Sequence, residues 1–469
     1  MNTANSDFSV LERLARTVHS IHYEDLPTEV VGAVKDLALD TLGCAYGGFH
    51  SDVGTAVLRM ASACGGASQS TLIGTGEKTS APLATLVNGT LMRYLDSNDY
   101  YFSRDPAHPS GSLAVALAVG ERQRCSGKDL IAGLVAAYEI HLRLCDFAGE
   151  PSLWKRGWHH ATNAQFANAA LASRLTADDP TCTAHAMAIV GSHQNTLAQL
   201  QSGAISMIKA TAEAWVAKAG VEAALLAAYG VTGPLLLMEG TNGWASSVAG
   251  KVDFDQLTSP VSTHYRLLDV CIKPYPAVAT AMALIHAAIE LYREGPILAT
   301  DIKKIVVRLS AFALNSPSAH PKRRYAPSVE SAQHSFYYCT AVALLDGACG
   351  SDQFEPDHLN SAPLRELLDK IELVQDDEFT RLWPQAAGGA VELHMHNGAL
   401  RSRRCPFPPG HPRLAMSRHD IANKFYSHAD PVLSHRDAQA LHDVIYGLED
   451  CSDLTDLTKL LAPREPRPM

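Results

Sequence analysis

The hydrophobic positions along this chain keep two different rhythms. Up to about residue 265 they recur at helical spacing. In VVGAVKDLALDTLGCAYGG (30–48), GKDLIAGLVAAYEIHLRL (127–144) and KAGVEAALLAAYG (218–230), apolar residues fall three and four apart, which predicts helices. DLALDTLG and KDLIAGLVAAYE are apolar nearly all round, as expected of helices buried on every side. Their many Ala and Gly residues allow neighbouring helices to approach closely. Gly and Pro close the segments at 46–48 and 229–234.

From about Leu267 the rhythm changes. DIKKIVVRLSAF (301–312) alternates and is rich in β-branched residues, which predicts a strand. AVELHMHNGALRSRRCPFP (390–408) predicts two strands joined at Asn397-Gly398, a dipeptide suited to a tight hairpin turn. Between them, SAQHSFYYCTAVALLDGA (331–348) reads as helix. A smaller α+β unit is therefore placed at 266–405. SRHDIANKFYSHA (417–429) returns to helix, and the polar, Pro-rich PREPRPM at the end is predicted to fray. A boundary between two such units commonly forms a binding cleft, so candidate residues are sought on both sides of it.

Composition narrows the partners. Of 469 residues, 46% are hydrophobic and 19% charged, as in a soluble globular protein with a sizeable core. The formal charge is −10, and the only basic clusters are Lys322-Arg323-Arg324 and Arg401, Arg403 and Arg404. No nucleic-acid partner is expected from that. No apolar run reaches the ~18 residues of a membrane span, and the N-terminal residues lack a secretory pattern. The ten cysteines contain no CxxC pair. They read as reduced thiols of a cytoplasmic protein and give no iron–sulfur spacing. No Gly-rich phosphate loop, HExxH or Gly-x-Ser-x-Gly occurs. His141 and Cys145, four apart on a predicted helix, are weak evidence for a metal.

Five short segments carry candidate chemistry, and each also has a structural reading. DSNDYYFSRDPAHPSG (96–111) packs three aspartates and a histidine between two small-residue helices. Pro106 and Pro109 keep His108 out of regular helix. Ser110 and Gly111 suit a helix start, where free N–H groups favour an anion. The structural reading is a capped surface loop. RGWHHATNAQFANAALASRL (156–175) sets His159 and His160 before an Ala-rich helix. Neighbours on a helix do not share a face, so one of the two is expected to point into a site; otherwise they form an aromatic cap. SGAISMIKATAEAWVAKAG (202–220) sets Lys209 among apolar residues, where burial lowers a lysine's pKa, unless it snorkels to the surface. CIKPYPAVATAM (271–282) reads as a stiff hinge carrying Lys273. QHSFYYCTAVALLDG (333–347) opens a buried helix with two tyrosines, which ordinary ring packing also explains.

Together these segments resemble the MmgE/PrpD family: an Asp-rich loop ending HPSG, then GWHHAT, SMIKA, CIKPYP and HSFYYCTAVALLDG in that order, with PPGHPRLAMSRHDIANKF near the C-terminus. The resemblance runs from about residue 8 to 450. It implies a mainly α fold, with a large all-helical domain built from both chain ends (1–265 with 406–469) and a smaller α+β lid domain (266–405), assembled as a homodimer. It also implies chemistry without metal or organic cofactor on a small polycarboxylate, by proton transfer next to a carboxylate. Known activities of the family are 2-methylcitrate dehydratase, cis-aconitate decarboxylase and iminodisuccinate epimerase. Carried over by motif, the catalytic positions are Asp96, His108, His159, Lys209 and Tyr338, with Lys273, Arg324 and Ser110 expected to bind substrate. Many members have a histidine-bearing run after the lysine and another histidine after KPYP. Here ATAEAW (210–215) and AVATAM (277–282) have none, which favours dehydration. Epimerisation, decarboxylation and carboxylate binding without catalysis are the alternatives.

Overall fold

The computed structural model describes residues 8–463 apart from 150–151, 203–204, 262, 296 and 360. Of the segment predicted to fray, 463–469, residues 464–469 lie outside the described residues. The chain is mainly α-helical. The helices that matter for the site are α1 (Thr28–Gly48), α2 (Ala81–Tyr94), α3 (Ser112–Gln123), α4 (Gly127–Phe147), α5 (Ala161–Ala177), α6 (Ala212–Ala228), α7 (Met282–Arg293), α8 (Phe336–Asp346) and α9 (Arg418–Ala429). The three helices predicted from apolar spacing correspond to α1, α4 and α6.

Two hydrophobic cores form. The larger joins the helices of the N-terminal half to the C-terminal ones, from Leu11 and Leu39 through Phe166 to Phe425 and Leu441. The smaller lies around α7, α8 and a four-stranded sheet, with Ile285, Ile305, Val391 and Phe336 fully buried. Its strands are β1 (Ile302–Leu309), β2 (Ile371–Gln375), β3 (Gly389–Met395) and β4 (Leu400–Cys405), ordered β2-β1-β3-β4. β1 runs parallel to β2, with Ile305 opposite Ile371, and antiparallel to β3, with Ile305 opposite Leu393. β3 and β4 form the predicted hairpin, and Gly398 at its turn has φ +86°.

Small residues set how closely the helices around the site pack. A Cβ on Gly89 of α2 would lie 2.9 Å from the Cβ of Ala214 on α6. One on Gly220 would lie 2.8 Å from the Ala169 nitrogen and 2.9 Å from the Asn168 carbonyl carbon of α5. Backbone atoms cannot yield as a flexible side chain would. Gly220→Ala should therefore cost ~1–3 kcal/mol of stability, the usual penalty for overpacking. A lowered thermal midpoint checks this, and an unchanged one contradicts the close approach.

One predicted helix divides. The stretch 331–348 forms as the end of Val329–Gln333 and then α8. Ser335 causes the break: its Oγ accepts from Tyr338 N at 3.1 Å as the α8 N-cap and donates to Arg323 O at 2.6 Å. His334 sits at the break and leaves the helical line. All ten cysteines are free thiols. Among the described residues, no helix is long and apolar enough to cross a membrane.

Candidate active site

The centre is built on Asp96, one residue past the C-cap of α2. Its φ is +52°, in the left-handed region that Asp tolerates better than most residues. This turn brings the carboxylate back over the helix end, fully buried, where four positive or potentially positive groups meet it. Arg93 Nη1, three residues earlier, pairs with Oδ1. Lys273 Nζ lies 2.8 Å from Oδ1 and donates to the Asp96 carbonyl at 2.8 Å. Lys209 Nζ lies 3.0 Å from Oδ2, and His334 Nε2 3.2 Å from the same oxygen.

The electrostatics follow from burial and count. Burial alone would raise the Asp96 pKa. Arg93, Lys209, Lys273 and His334 override it and hold the carboxyl well below its usual range. For the lysines burial works toward the neutral form. Asp96 opposes it and the neighbouring cations assist it, so Lys209 falls to about 7 and Lys273 to about 8. Arg93, Lys209 and Lys273 share one carboxylate. With both lysines protonated, the cluster carries two uncompensated positive charges out of water, an arrangement costly without an anionic ligand.

Histidines form the adjoining wall. His108 donates from Nδ1 to the Asp99 carbonyl at 2.6 Å. A carbonyl only accepts, so the proton is on Nδ1 and Nε2 keeps its lone pair. Burial, with Arg93 and Lys273 nearby, lowers its pKa well below the ordinary value and keeps it neutral. Asp99 therefore orients this ring, through its backbone. The Asp99 carboxylate is itself held by Ser110 Oγ at 2.5 Å, Ser110 N at 3.2 Å and Tyr138 OH at 2.8 Å; burial raises its pKa to about 6. Ser110 thus spends its N–H and its hydroxyl on Asp99, and the anion at this helix start is the protein's own.

His159 and His160 precede α5, so the one-face argument for helical neighbours does not apply. Both are buried, with ring centroids 3.9 Å apart, and the His160 ring stands 5.3 Å from that of His108. Burial lowers both pKa values, that of His160 to about 3.

Lys424 of α9 braces the centre from behind. It donates to Asp40 Oδ1 at 2.7 Å, Ser97 O at 2.5 Å and Lys273 O at 2.7 Å. Burial works against its charge, and Asp40 overrides it, raising the pKa.

The structure thus brings together Asp96, His108, His159, Lys209 and Lys273. It leaves two expected residues elsewhere. The Tyr338 hydroxyl donates to Gln353 O at 2.5 Å and its ring packs on Phe354 within the smaller core. Arg324 donates to the Leu368 and Ile371 carbonyls and lies over the Tyr337 ring. Both satisfy backbone carbonyls, a structural use that residue type alone does not reveal. Arg93, His334 and Lys424 join the centre without having been singled out. For Arg93 the spacing of three to Asp96 is the available signal; His334 lies in QHSFYY, beside two tyrosines whose rings are the more conspicuous feature. His141 and Cys145 do not pair: Cys145 Sγ faces the Pro106 carbonyl at 3.8 Å, while both His141 nitrogens are buried without a hydrogen-bond partner.

Fold and site together define a mainly helical protein whose buried centre gathers cations beside neutral histidines, equipment for holding a small polyanion and moving protons. The comparisons agree. The MmgE/PrpD N-terminal domain matches residues 12–257 and the MmgE/PrpD C-terminal domain residues 275–450; the chain belongs to the MmgE/PrpD family. It is similar to the cis-aconitate decarboxylase of Homo sapiens, 28% identical over 480 residues, covering 98% of this chain and 95% of that protein. The corresponding protein of Mus musculus is 26% identical over 473 residues, covering 97% and 93%. The mitochondrial 2-methylcitrate dehydratase of Yarrowia lipolytica is 25% identical over 406 residues, covering 80% and 75%.

Proposed function

We propose that this chain is a lyase acting on a small tricarboxylate by proton transfer at a carbon next to a carboxylate, in the first reading a hydro-lyase of 2-methylcitrate type. The observation that carries it is the surplus of buried positive charge around Asp96, set beside a neutral His108 whose Nε2 lone pair is free. Lys209, Lys273 and Arg93 neutralise the substrate carboxylates and stabilise the enolate-like charge of the transition state. His108 Nε2 takes the α-proton. A second group returns a proton to the departing hydroxyl. With the Tyr338 hydroxyl held by Gln353, this falls to the histidine pair 159–160.

The ring spacing bears on the choice among activities. The ring centroids of His108 and His160 stand 5.3 Å apart, so the two rings are neighbours in one wall of the site. That suits transfers at adjacent atoms on one side of a substrate rather than two-sided exchange at one carbon, and so favours a lyase over an epimerase. Decarboxylation of cis-aconitate is the second reading, favoured by the 28% identity to a decarboxylase over nearly the whole chain.

The test is proton NMR in D₂O with 2-methylcitrate, citrate and cis-aconitate in turn. A new vinylic product signal from 2-methylcitrate supports the hydro-lyase. Loss of CO₂ from cis-aconitate replaces it with the second reading, and inertness toward all three rejects both.

A pH dependence follows. Burial, helped by Arg93 and by each other's charge, outweighs Asp96 and lowers Lys209 to about 7 and Lys273 to about 8 in the free protein, where His334 is neutral. A bound polyanion favours the protonated forms, so binding takes up protons. KM should therefore rise as pH climbs from 7 to 9, by up to ~10-fold per unit above the operative pKa. A KM flat across this range would show that the lysines do not carry the binding.

A further inference from the structure

Behind the histidine wall lies a carboxylate that the reading above does not use. Glu213, in the first turn of α6, is 3% exposed. Neither of its oxygens has a hydrogen-bond partner. Its Oε1 is 3.2 Å from His160 Nδ1, which also lacks one, so the approach is bent from a straight hydrogen bond. An oxygen of Glu213 and one nitrogen each of His159 and His160 lie within 4.8 Å of one another. A buried carboxylate left unpaired is costly, and catalytic hydrogen bonds often straighten only when substrate is bound.

The proton positions sort the possibilities. Ala161 N donates to His159 Nδ1 at 3.2 Å, so a neutral His159 carries its proton on Nε2, where it has no partner. Two ring N–H groups, His159 Nε2–H and His160 Nδ1–H, then complement the two unpartnered oxygens of Glu213. A metal ion in their place would require His159 to exchange its proton for a ligand bond, against the Ala161 donor. On His160 the other nitrogen, Nε2, makes no hydrogen bond to a described residue, and this ring is the one beside His108.

We propose that Glu213 is a positioning residue that holds His160 as the Nδ1–H tautomer, and that His160 Nε2 is a second catalytic proton-transfer atom of the tricarboxylate lyase reaction. The inference rests on that reading and specifies the group it left open. In dehydration, His108 Nε2 takes the C–H proton and its electron pair becomes the new C=C bond. The C–O pair leaves with the hydroxyl, and protonated His160 gives its Nε2 proton to form water. Glu213 stabilises the imidazolium beforehand and keeps Nδ1–H afterwards, the role of the carboxylate in a carboxylate–histidine pair. The substrate's own negative charge, facing Arg93, Lys209 and Lys273, favours the protonated ring in the complex.

The test uses the full chain labelled with ¹⁵N-histidine and long-range ¹H–¹⁵N NMR, with His160→Asn identifying the signals. The expected result is Nδ1–H on His160 in the wild type. In Glu213→Leu, which removes the acceptor, the expected result is a shift to Nε2–H, the tautomer a free imidazole side chain prefers. This arm needs no turnover, so it decides the positioning role of Glu213 even if every tested substrate is inert. Where turnover exists, Glu213→Gln should lower kcat by ~10²–10⁴-fold and change its pH profile, while KM stays within about 3-fold. An Nε2–H tautomer in the wild type overturns the proposal, as does a tautomer unmoved in Glu213→Leu. So would one equivalent of Zn²⁺ bound per chain and lost in Glu213→Gln, which would make the cluster a metal site.

Discussion

His108→Asn should lower kcat by ~10²–10⁴-fold, the usual contribution of a general acid–base group, and leave thermal unfolding nearly unchanged. The fold survives because the Asn amide can still donate to the Asp99 carbonyl, the one hydrogen bond His108 makes to a described residue. The chemistry is lost because an amide offers no basic lone pair at the Nε2 position. Steady-state kinetics with the substrate found by NMR, alongside a melting curve, check both halves. Near-normal turnover would remove His108 from the mechanism. Collapse of the fold would show that the ring is structural.

Asp96→Ala should act differently, destabilising the protein by ~3–5 kcal/mol, the cost of breaking a buried charge pair by removing one partner. Arg93, Lys209 and Lys273 would then face one another with no carboxylate between them. The lysines can shed protons, and each has already been pushed toward neutrality; the guanidinium cannot. The sign is distinctive. Lys209 and Lys273 would drop further in pKa, so the variant should be least stable at low pH and recover as pH rises through the lysines' lowered values. Citrate should also restore part of the thermal midpoint, since a bound anion replaces the missing charge. A midpoint equal to wild type at pH 6 without citrate would contradict the arrangement.

How much of this could be read in advance depended on range along the chain. The helices were legible because apolar spacing is a local property, and the hairpin because Asn397-Gly398 leaves few other turns. Asp96, Lys209 and Lys273 could be singled out because charge in an apolar or Pro-locked setting is conspicuous. That Lys273 and Asp96, 177 residues apart, meet in one ion pair is a property of tertiary packing and leaves no trace in spacing. Arg93 was overlooked because an arginine near a helix end ordinarily serves that end. His334 depended on Ser335 capping a new helix in the middle of a continuous apolar pattern. Motif points to Tyr338 and charge alone to Arg324, and the structure engages both with backbone carbonyls.

Lys424 carries a consequence for how the molecule comes into being. An ammonium has three hydrogens, and all three are committed: to α1 through Asp40, to the loop after α2 through Ser97, and to the KPYP segment through Lys273. It works as a keystone, and it arrives after its partners, since Asp40, Ser97 and Lys273 all precede it in the chain. Until α9 docks, Asp40 lacks its cation and the loop bearing Asp96 lacks its anchor. The ion-paired centre is therefore incomplete until the chain has been made through Lys424 and α9 has docked.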